Sequence, residues 1–134
     1  MRYFGIVLAL ALSGCVSAPT QQEMSSADYG PAPTDYEATI KDYLSQALKD
    51  PYSADVKYLF EPRKDWSGLG GNKQFGYAVC ARVNSKNSFG AFVGFKLAYF
   101  LIRNDQVIAS TGLGGAQLEE IGAQQQCNPS KSAP

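Results

Sequence analysis

Phe75-Gly-Tyr-Ala-Val-Cys-Ala-Arg-Val-Asn84 and Ala91-Phe-Val-Gly-Phe-Lys-Leu-Ala-Tyr-Phe-Leu-Ile-Arg103 decide the fold. In the first stretch Phe75, Tyr77, Val79, Ala81 and Val83 share one face, and Gly76, Ala78, Cys80 and Arg82 share the other. In the second, Val93, Phe95, Leu97, Tyr99 and Leu101 alternate with Phe92, Gly94, Lys96, Ala98, Phe100 and Ile102. A period of two marks a strand, because successive side chains leave a strand on opposite sides. The loop 85–90 between them is short enough to make an antiparallel hairpin. Each strand then pairs a bulky face with a smaller, mixed one. The bulky faces suit a helix. The small-residue face admits a close-packed segment, and the C-terminal stretch carrying Cys127 is a candidate for it.

Working outward, Asn104-Asp105 turns the chain into a third strand, Gln106 to Thr111. On the other side, Val56, Tyr58 and Phe60 alternate with Lys57 and Leu59 in a fourth strand that Pro62 ends. Before it, Tyr36, Ile40, Tyr43, Leu44, Ala47 and Leu48 recur at helical spacing. Thr34 and Glu37 fit a capping box, and Asp50-Pro51 stops the run, so the helix is expected over 35–49. Gln117 to Gln126 reads as a short C-terminal helix with only Leu118 and Ile121 as apolar anchors. The expectation is an α+β domain over residues 34–127: an N-terminal amphipathic helix packed on an antiparallel sheet of about four strands, then a short C-terminal helix. Residues 128–134 read as a disordered tail.

Residues 61–74 read as a long connection, a length often functional in a small domain. Trp66 sits within it, as a partner contact or as a lid on the core. The glycines at 68, 70 and 71 lack the spacing and the βαβ context of a phosphate-binding loop.

Composition excludes several function classes. The chain contains no histidine, which removes the commonest general base and the commonest transition-metal ligand, so no metal site or cofactor is expected. Twelve basic residues balance twelve acidic ones, and no basic surplus points to nucleic acid. Lys86 beside Ser85 and Ser88 does not have the Ser-x-x-Lys spacing of a Ser/Lys nucleophile, and no catalytic motif emerges. The chain reads as a non-enzyme.

The N-terminus carries an address. Arg2 is followed by the apolar run Tyr3 to Leu12, about half the roughly 20 residues a spanning helix needs. A charge, a short apolar run and small residues before a cleavage point make a secretory signal. Leu12-Ser13-Gly14-Cys15 resembles the lipobox of bacterial lipoproteins. That resemblance implies removal of residues 1–14, lipidation of Cys15 and attachment to a membrane. Val16, in place of Asp, is similar to the outer-membrane sorting pattern of Gram-negative lipoproteins. Residues 15–33 then read as the lipidated cysteine and a flexible tether rich in Pro, Ser and Gln, with a reach of about 23 Å.

Three cysteines leave Cys80 and Cys127 once Cys15 is lipidated. In an oxidising compartment the two would close a loop of about 47 residues, worth roughly 4 kcal/mol of denatured-state entropy. The alternative is a buried free thiol at Cys80 and an exposed one at Cys127.

Leu48-Lys-Asp-Pro-Tyr-Ser-Ala54, Val79 to Gly90 and Gly94-Phe95 resemble a recurring type of small proteobacterial envelope protein without assigned activity. That resemblance brings no site residues with it. From the residues themselves, the tip Asn84 to Gly90 is the best functional candidate. Lys86 and Asn87 supply hydrogen-bonding groups and Phe89 an apolar anchor. The competing reading is turn chemistry, with Phe89 tucked beneath the hairpin. Trp66, Lys86, Asn87 and Phe89 are thus the candidate partner-binding residues. The expected function is an outer-membrane, periplasm-facing accessory that binds an envelope protein or the cell wall. The alternative is a lipid-anchored inhibitor of an envelope-active hydrolase such as lysozyme.

Overall fold

The computed structural model describes residues 18–131. The expected signal peptide and the expected lipidation site, Cys15, lie outside the described residues, as does the end of the expected tail.

The order of elements is α1 (Gln21–Ser26), α2 (Tyr36–Ala47), β1 (Asp55–Tyr58), β2 (Arg63–Ser67), β3 (Gln74–Lys86), β4 (Phe92–Arg103), β5 (Gln106–Thr111) and α3 (Gln117–Gln126). The strands form one antiparallel sheet in the order β1-β3-β4-β5, with β2 also on β3. β1 pairs with Ala81 to Asn84 and β2 with Gln74 to Ala78, so the two lie end to end along one edge of β3. Pro62 falls in the break between them. Proline cannot donate to a ladder, which confines it to edges and irregularities of this kind.

The expected architecture is corrected. The sheet has five strands rather than about four. The extra one, β2, lies inside the stretch read as a connection over 61–74. Its sequence, Arg-Lys-Asp-Trp-Ser, has no apolar alternation, so tertiary pairing rather than local pattern makes it a strand. The helices are small, at 6, 12 and 10 residues. The first described helix is α1, in the segment read as a tether, and not the one expected at 35–49. The framework is therefore the sheet itself, not a principal N-terminal helix laid on one. Local signals moved as well. The N-cap of α2 is Asp35, which accepts from the Ala38 amide at 3.0 Å, and the capping box of the chain is Thr20 with Glu23.

Both faces of the sheet are buried at its centre. One cluster joins Ile40 and Leu44 to Val79, Ala81, Phe100 and Ile102. The other joins Ala78, Cys80, Tyr99 and Leu101, with Cys127 packed against it. Register places Val79 opposite Phe100 and Cys80 opposite Tyr99. The bulky face of β3 therefore shares a side with Phe100 and Ile102, not with Leu97, Tyr99 and Leu101. Both faces of β4 are bulky at their centre, so its periodicity alone could not choose between them.

Cys80 and Cys127 form a disulfide, with Cα atoms 6.0 Å apart. It fastens the end of α3 to the small-residue face of β3.

Residues 18–33 also differ from their composition. Thr20 and Glu23 cap α1 reciprocally. Tyr29 is buried, its hydroxyl donates to Met24 O at 2.6 Å, and its ring meets Phe75 edge-on at 5.6 Å. Asp28 pairs with Arg103 at 2.8 Å. The segment is a strap docked against the base of β3 and β4.

Two outcomes follow from this packing. Replacing Cys80 and Cys127 together by alanine should lower the urea-unfolding free energy by about 2–4 kcal/mol, since the bridge closes a 47-residue loop. Tyr29→Ala should cost about 2–4 kcal/mol if the strap belongs to the cooperative unit, and almost nothing if it does not.

Candidate functional site

The β3–β4 hairpin is longer than its neighbours. On one side β1 ends opposite Asn84, and on the other β5 ends opposite Tyr99. The outer part of the hairpin stands beyond both.

Its turn is built by Asn87. The Asn87 carboxamide oxygen accepts from the Phe89 amide at 2.9 Å and from the Ala91 amide at 3.2 Å. The Asn87 amide donates to Ala91 O at 2.9 Å, and Gly90 takes a φ of +78° to close the turn. A second asparagine, Asn84, accepts from the Gly94 amide at 3.0 Å across a register shift. Asn87 thus spends its side chain holding the turn. Phe89 is not tucked beneath it and is 94% exposed.

Some of the exposed apolar side chains gather around this tip. Phe92, Val93 and Phe95 join Phe89. Cations accompany them: Lys86 lies 5.3 Å from the Phe92 ring centre, and Lys57 lies 4.4 Å from that of Phe95. Such pairs hold about 0.5–1 kcal/mol each at exposed sites.

A cleft of about 310 Å³ opens beside the tip. Leu48 and Lys49 at the end of α2 form one wall, Val83, Lys86, Val93 and Lys96 of the hairpin a second, and Gly112 to Gly115 the third. Three lysines, Lys49, Lys86 and Lys96, are among its lining residues, with Leu48, Val83, Val93 and Leu113. Lys86 pairs with Asp50 at 3.8 Å and Lys96 with Glu120 at 3.4 Å. Both carboxylates are exposed, and pairs of that kind are worth about 0–1 kcal/mol. Lys49 donates to the Ser88 hydroxyl and has no carboxylate partner among the described residues. The arrangement suits an anionic group attached to an apolar one.

Trp66 lies elsewhere. It pairs with Phe75 at the far end of β3, roughly 35 Å from Lys86 along the strand. Lys131 covers its ring at 4.5 Å and donates to its carbonyl. The structure therefore brings Lys86, Asn87 and Phe89 together and separates them from Trp66. The segment 128–131, read as tail, contributes the lysine that closes this end.

Beneath Lys131 lies Asp65, fully buried. Its Oδ1 accepts from the Trp66 amide at 2.8 Å and faces Lys131 Nζ at 3.2 Å, while Oδ2 has no partner. Burial raises the Asp65 carboxyl above its ordinary range, and burial lowers Lys131 below its own. Both shifts say that removing the pair from water outweighs their attraction. This cluster clasps the C-terminal segment over Tyr99 and the disulfide.

The residues that sequence reading missed are Lys49, Lys96, Asp65 and the Gly112–Gly115 loop. Lys96 carried a signal, as a charge inside an apolar strand. Asp65 carried none, because its strand was not recognised.

Among the described residues no group of three or more acidic or cysteine side chains is placed to hold a metal ion, and no helix is long and apolar enough to cross a membrane. Compared with known proteins, the chain matches no family model, no curated protein and no solved structure.

The Asp65 clasp has a signed pH dependence. With its folded-state pKa raised, Asp65 contributes stability that is present below the unfolded-state value and is lost as pH rises through the folded-state value. Asp65→Asn does not titrate, so it should gain stability relative to the parent as pH rises from about 4, the unfolded-state value, toward neutrality. Denaturant melts across that range check it. A variant that lost ground instead would show that pairing with Lys131 outweighs burial.

Proposed function

We propose that this protein is a lipoprotein held to the outer membrane through Cys15, and that its domain serves in the periplasm as a non-enzymatic binding or accessory module for an envelope assembly or secretion machine. Leu12-Ser13-Gly14-Cys15 supports the anchor. A disulfide between Cys80 and Cys127 suits an oxidising compartment.

The observation that carries the reading is the polarity of the domain. The strap docks at the base of the long hairpin, where Glu23 reaches Lys73 at 3.7 Å next to the start of β3. The aromatic and lysine-rich tip lies at the other end, about 40 Å away at the rise of an extended strand. Cys15 precedes Thr20 by a few residues, each spanning at most about 3.5 Å. Anchoring at Cys15 would hold the base near the lipid surface and present the tip away from it. A tip of exposed phenylalanines, ammonium groups and a cleft is a recognition surface, which favours a binder over an enzyme.

The test has two arms. Cys15→Ala should abolish lipidation and release the folded protein from membranes. A photo-crosslinking residue at Phe89 should capture an envelope partner in cells, whereas one at Trp66, covered by Lys131, should not. Tight membrane partitioning of the Cys15→Ala protein, or no adduct at Phe89 in the anchored protein, would refute the reading.

A further inference from the structure

α3 has few contacts of its own with the sheet. Ala123 is its one buried residue, while Leu118 and Ile121 are exposed. Near its start, Glu119 Oε2 accepts from the Gly112 amide at 2.7 Å, and Glu120 pairs with Lys96 at 3.4 Å. At its end, Gln126 Nε2 donates to Ser67 Oγ at 3.5 Å and Arg63 donates to Cys127 O at 3.4 Å, both at the long limit of a hydrogen bond. Docking also leaves polar atoms unpaired. Arg63 Nε, Asp65 Oδ2 and Gln126 Oε1 are buried without a partner among the described residues. Gln126 belongs to this segment, Arg63 bonds to it at Cys127, and Asp65 faces Lys131. Water would satisfy all three if the segment left.

The covalent bond is what holds this segment down. Cys80 is fully buried within β3, whereas Cys127, where α3 ends, is partly exposed. An incoming thiolate therefore reaches Cys127 first. The rest of the fold does not depend on α3. The opposite face of the sheet is closed by Ile40 and Leu44 of α2. The strap holds the base through Tyr29 on Phe75 and Asp28 on Arg103. β3 and β4 pair with each other from Tyr77–Ile102 to Lys86–Phe92. None of these contacts includes a residue of α3 or of 127–131.

We propose that the Cys80–Cys127 bond is a redox latch, and that its reduction by a dithiol frees α3 and residues 127–131 from a sheet that stays folded. One thiolate of the dithiol attacks Cys127 Sγ, and Cys80 leaves with the bonding pair and takes up a proton. The second thiol, deprotonated, attacks the reductant's own sulfur in the mixed disulfide, and Cys127 leaves and takes up a proton. Two electrons pass to the protein, and the dithiol ends as its own disulfide. Release takes Cys127 from the Cys80 and Tyr99 cluster and Lys131 from the Tyr99 ring, which it faces at 5.2 Å. It also withdraws Glu119 from Gly112 and Glu120 from Lys96, two residues that line the cleft beside the tip. The latch thereby regulates that cleft, a consequence that rests on the reading of the tip as a binding surface.

The experiment uses the full chain carrying Cys15→Ala, which leaves Cys80 and Cys127 as its only cysteines. Dithiothreitol serves as the dithiol, and alkylation with mass measurement counts the thiols it produces. Amide hydrogen exchange is compared between the oxidised and reduced protein. On reduction the amides of residues 117–131 should exchange at least about tenfold faster, while those of α2, β3 and β4 stay protected. The Gly112 amide should lose protection with α3. Trp66 is the chain's one tryptophan and Lys131 covers its ring at 4.5 Å, so its emission should shift to the red. Reoxidation should reverse all of these changes. Cys127→Ala, which leaves Cys80 in place, should show the reduced pattern without dithiothreitol. Should that variant not fold, the parent reduced after folding decides the matter. Loss of protection throughout β3 and β4 on reduction, protection kept across α3, or a bond that excess dithiothreitol leaves intact in the folded protein would overturn the proposal. Protection kept at Gly112 while α3 is released would overturn the link to the cleft. Failure of the latch is separable from failure of the tip reading, since capture of a partner at Phe89 is measured in cells and the latch on the purified protein alone.

Discussion

One sheet buried on both faces needs two covers, and this chain has apolar side chains for only one and a half. Val79, Cys80 and Ala81 are successive residues of β3 and all are fully buried, as are Ala98, Tyr99 and Phe100 of β4. On one side α2 answers with Ile40 and Leu44, and Tyr36, Tyr43 and Leu48 add partly buried area. On the other side α3 buries Ala123 alone. Its larger apolar residues point away, with Leu118 82% exposed. Burial on that scale cannot offset the entropy of fixing a ten-residue helix, at about 1–2 kcal/mol per residue for the backbone. The Cys80–Cys127 bond supplies what packing does not. It is joined by the Arg63 guanidinium donating to Cys127 O at 3.4 Å, and by Lys131 reaching Asp65.

This division explains what the sequence made legible. The long hairpin could be read because two strands of alternating residues leave few other folds open. The cysteine pair was visible as one of two alternatives, since elimination leaves Cys80 and Cys127 together but does not say that they meet. What was hidden depends on contacts distant in sequence. β2 is a strand only because Ala78 to Gln74 lie beside it. The polar segment 18–33 docks because Tyr29 finds Phe75 and Tyr77, and Asp28 finds Arg103. A composition rule averages that one tyrosine away. At the site, Lys86, Asn87 and Phe89 were visible as a tip, but Lys49 and Lys96 join them only through the end of α2 and the register of β4. Trp66 was singled out for its type, and its strand carries it to the opposite end.

The strap gives the molecule a direction. Without it, an anchor at Cys15 of the kind proposed would leave the domain free to present any face. With Thr20 to Pro33 docked, the base of β3 is the end from which the N-terminal chain leaves. The hairpin tip is then at the opposite end of β3. Strap and clasp both lie near this base, as the pairs Tyr29–Phe75 and Trp66–Phe75 record. Among the described residues the tip, where the sheet thins to two strands, is braced from outside by the Lys49–Ser88 hydrogen bond and the Lys86–Asp50 pair. Two-stranded ribbons are marginal by themselves, and this one carries exposed phenylalanines besides.

A protein can guard an open strand edge cheaply. One inward lysine, a proline or a bulge is enough to discourage pairing with another chain. Gly94, with a φ of +92°, already distorts the edge that β4 leaves open beyond Tyr99, and Lys96 already charges it. Protection alone would call for nothing further. Yet Phe92, Val93 and Phe95 remain uncovered along this stretch. Exposed phenylalanines work against protection, because they raise the gain from any pairing that occurs.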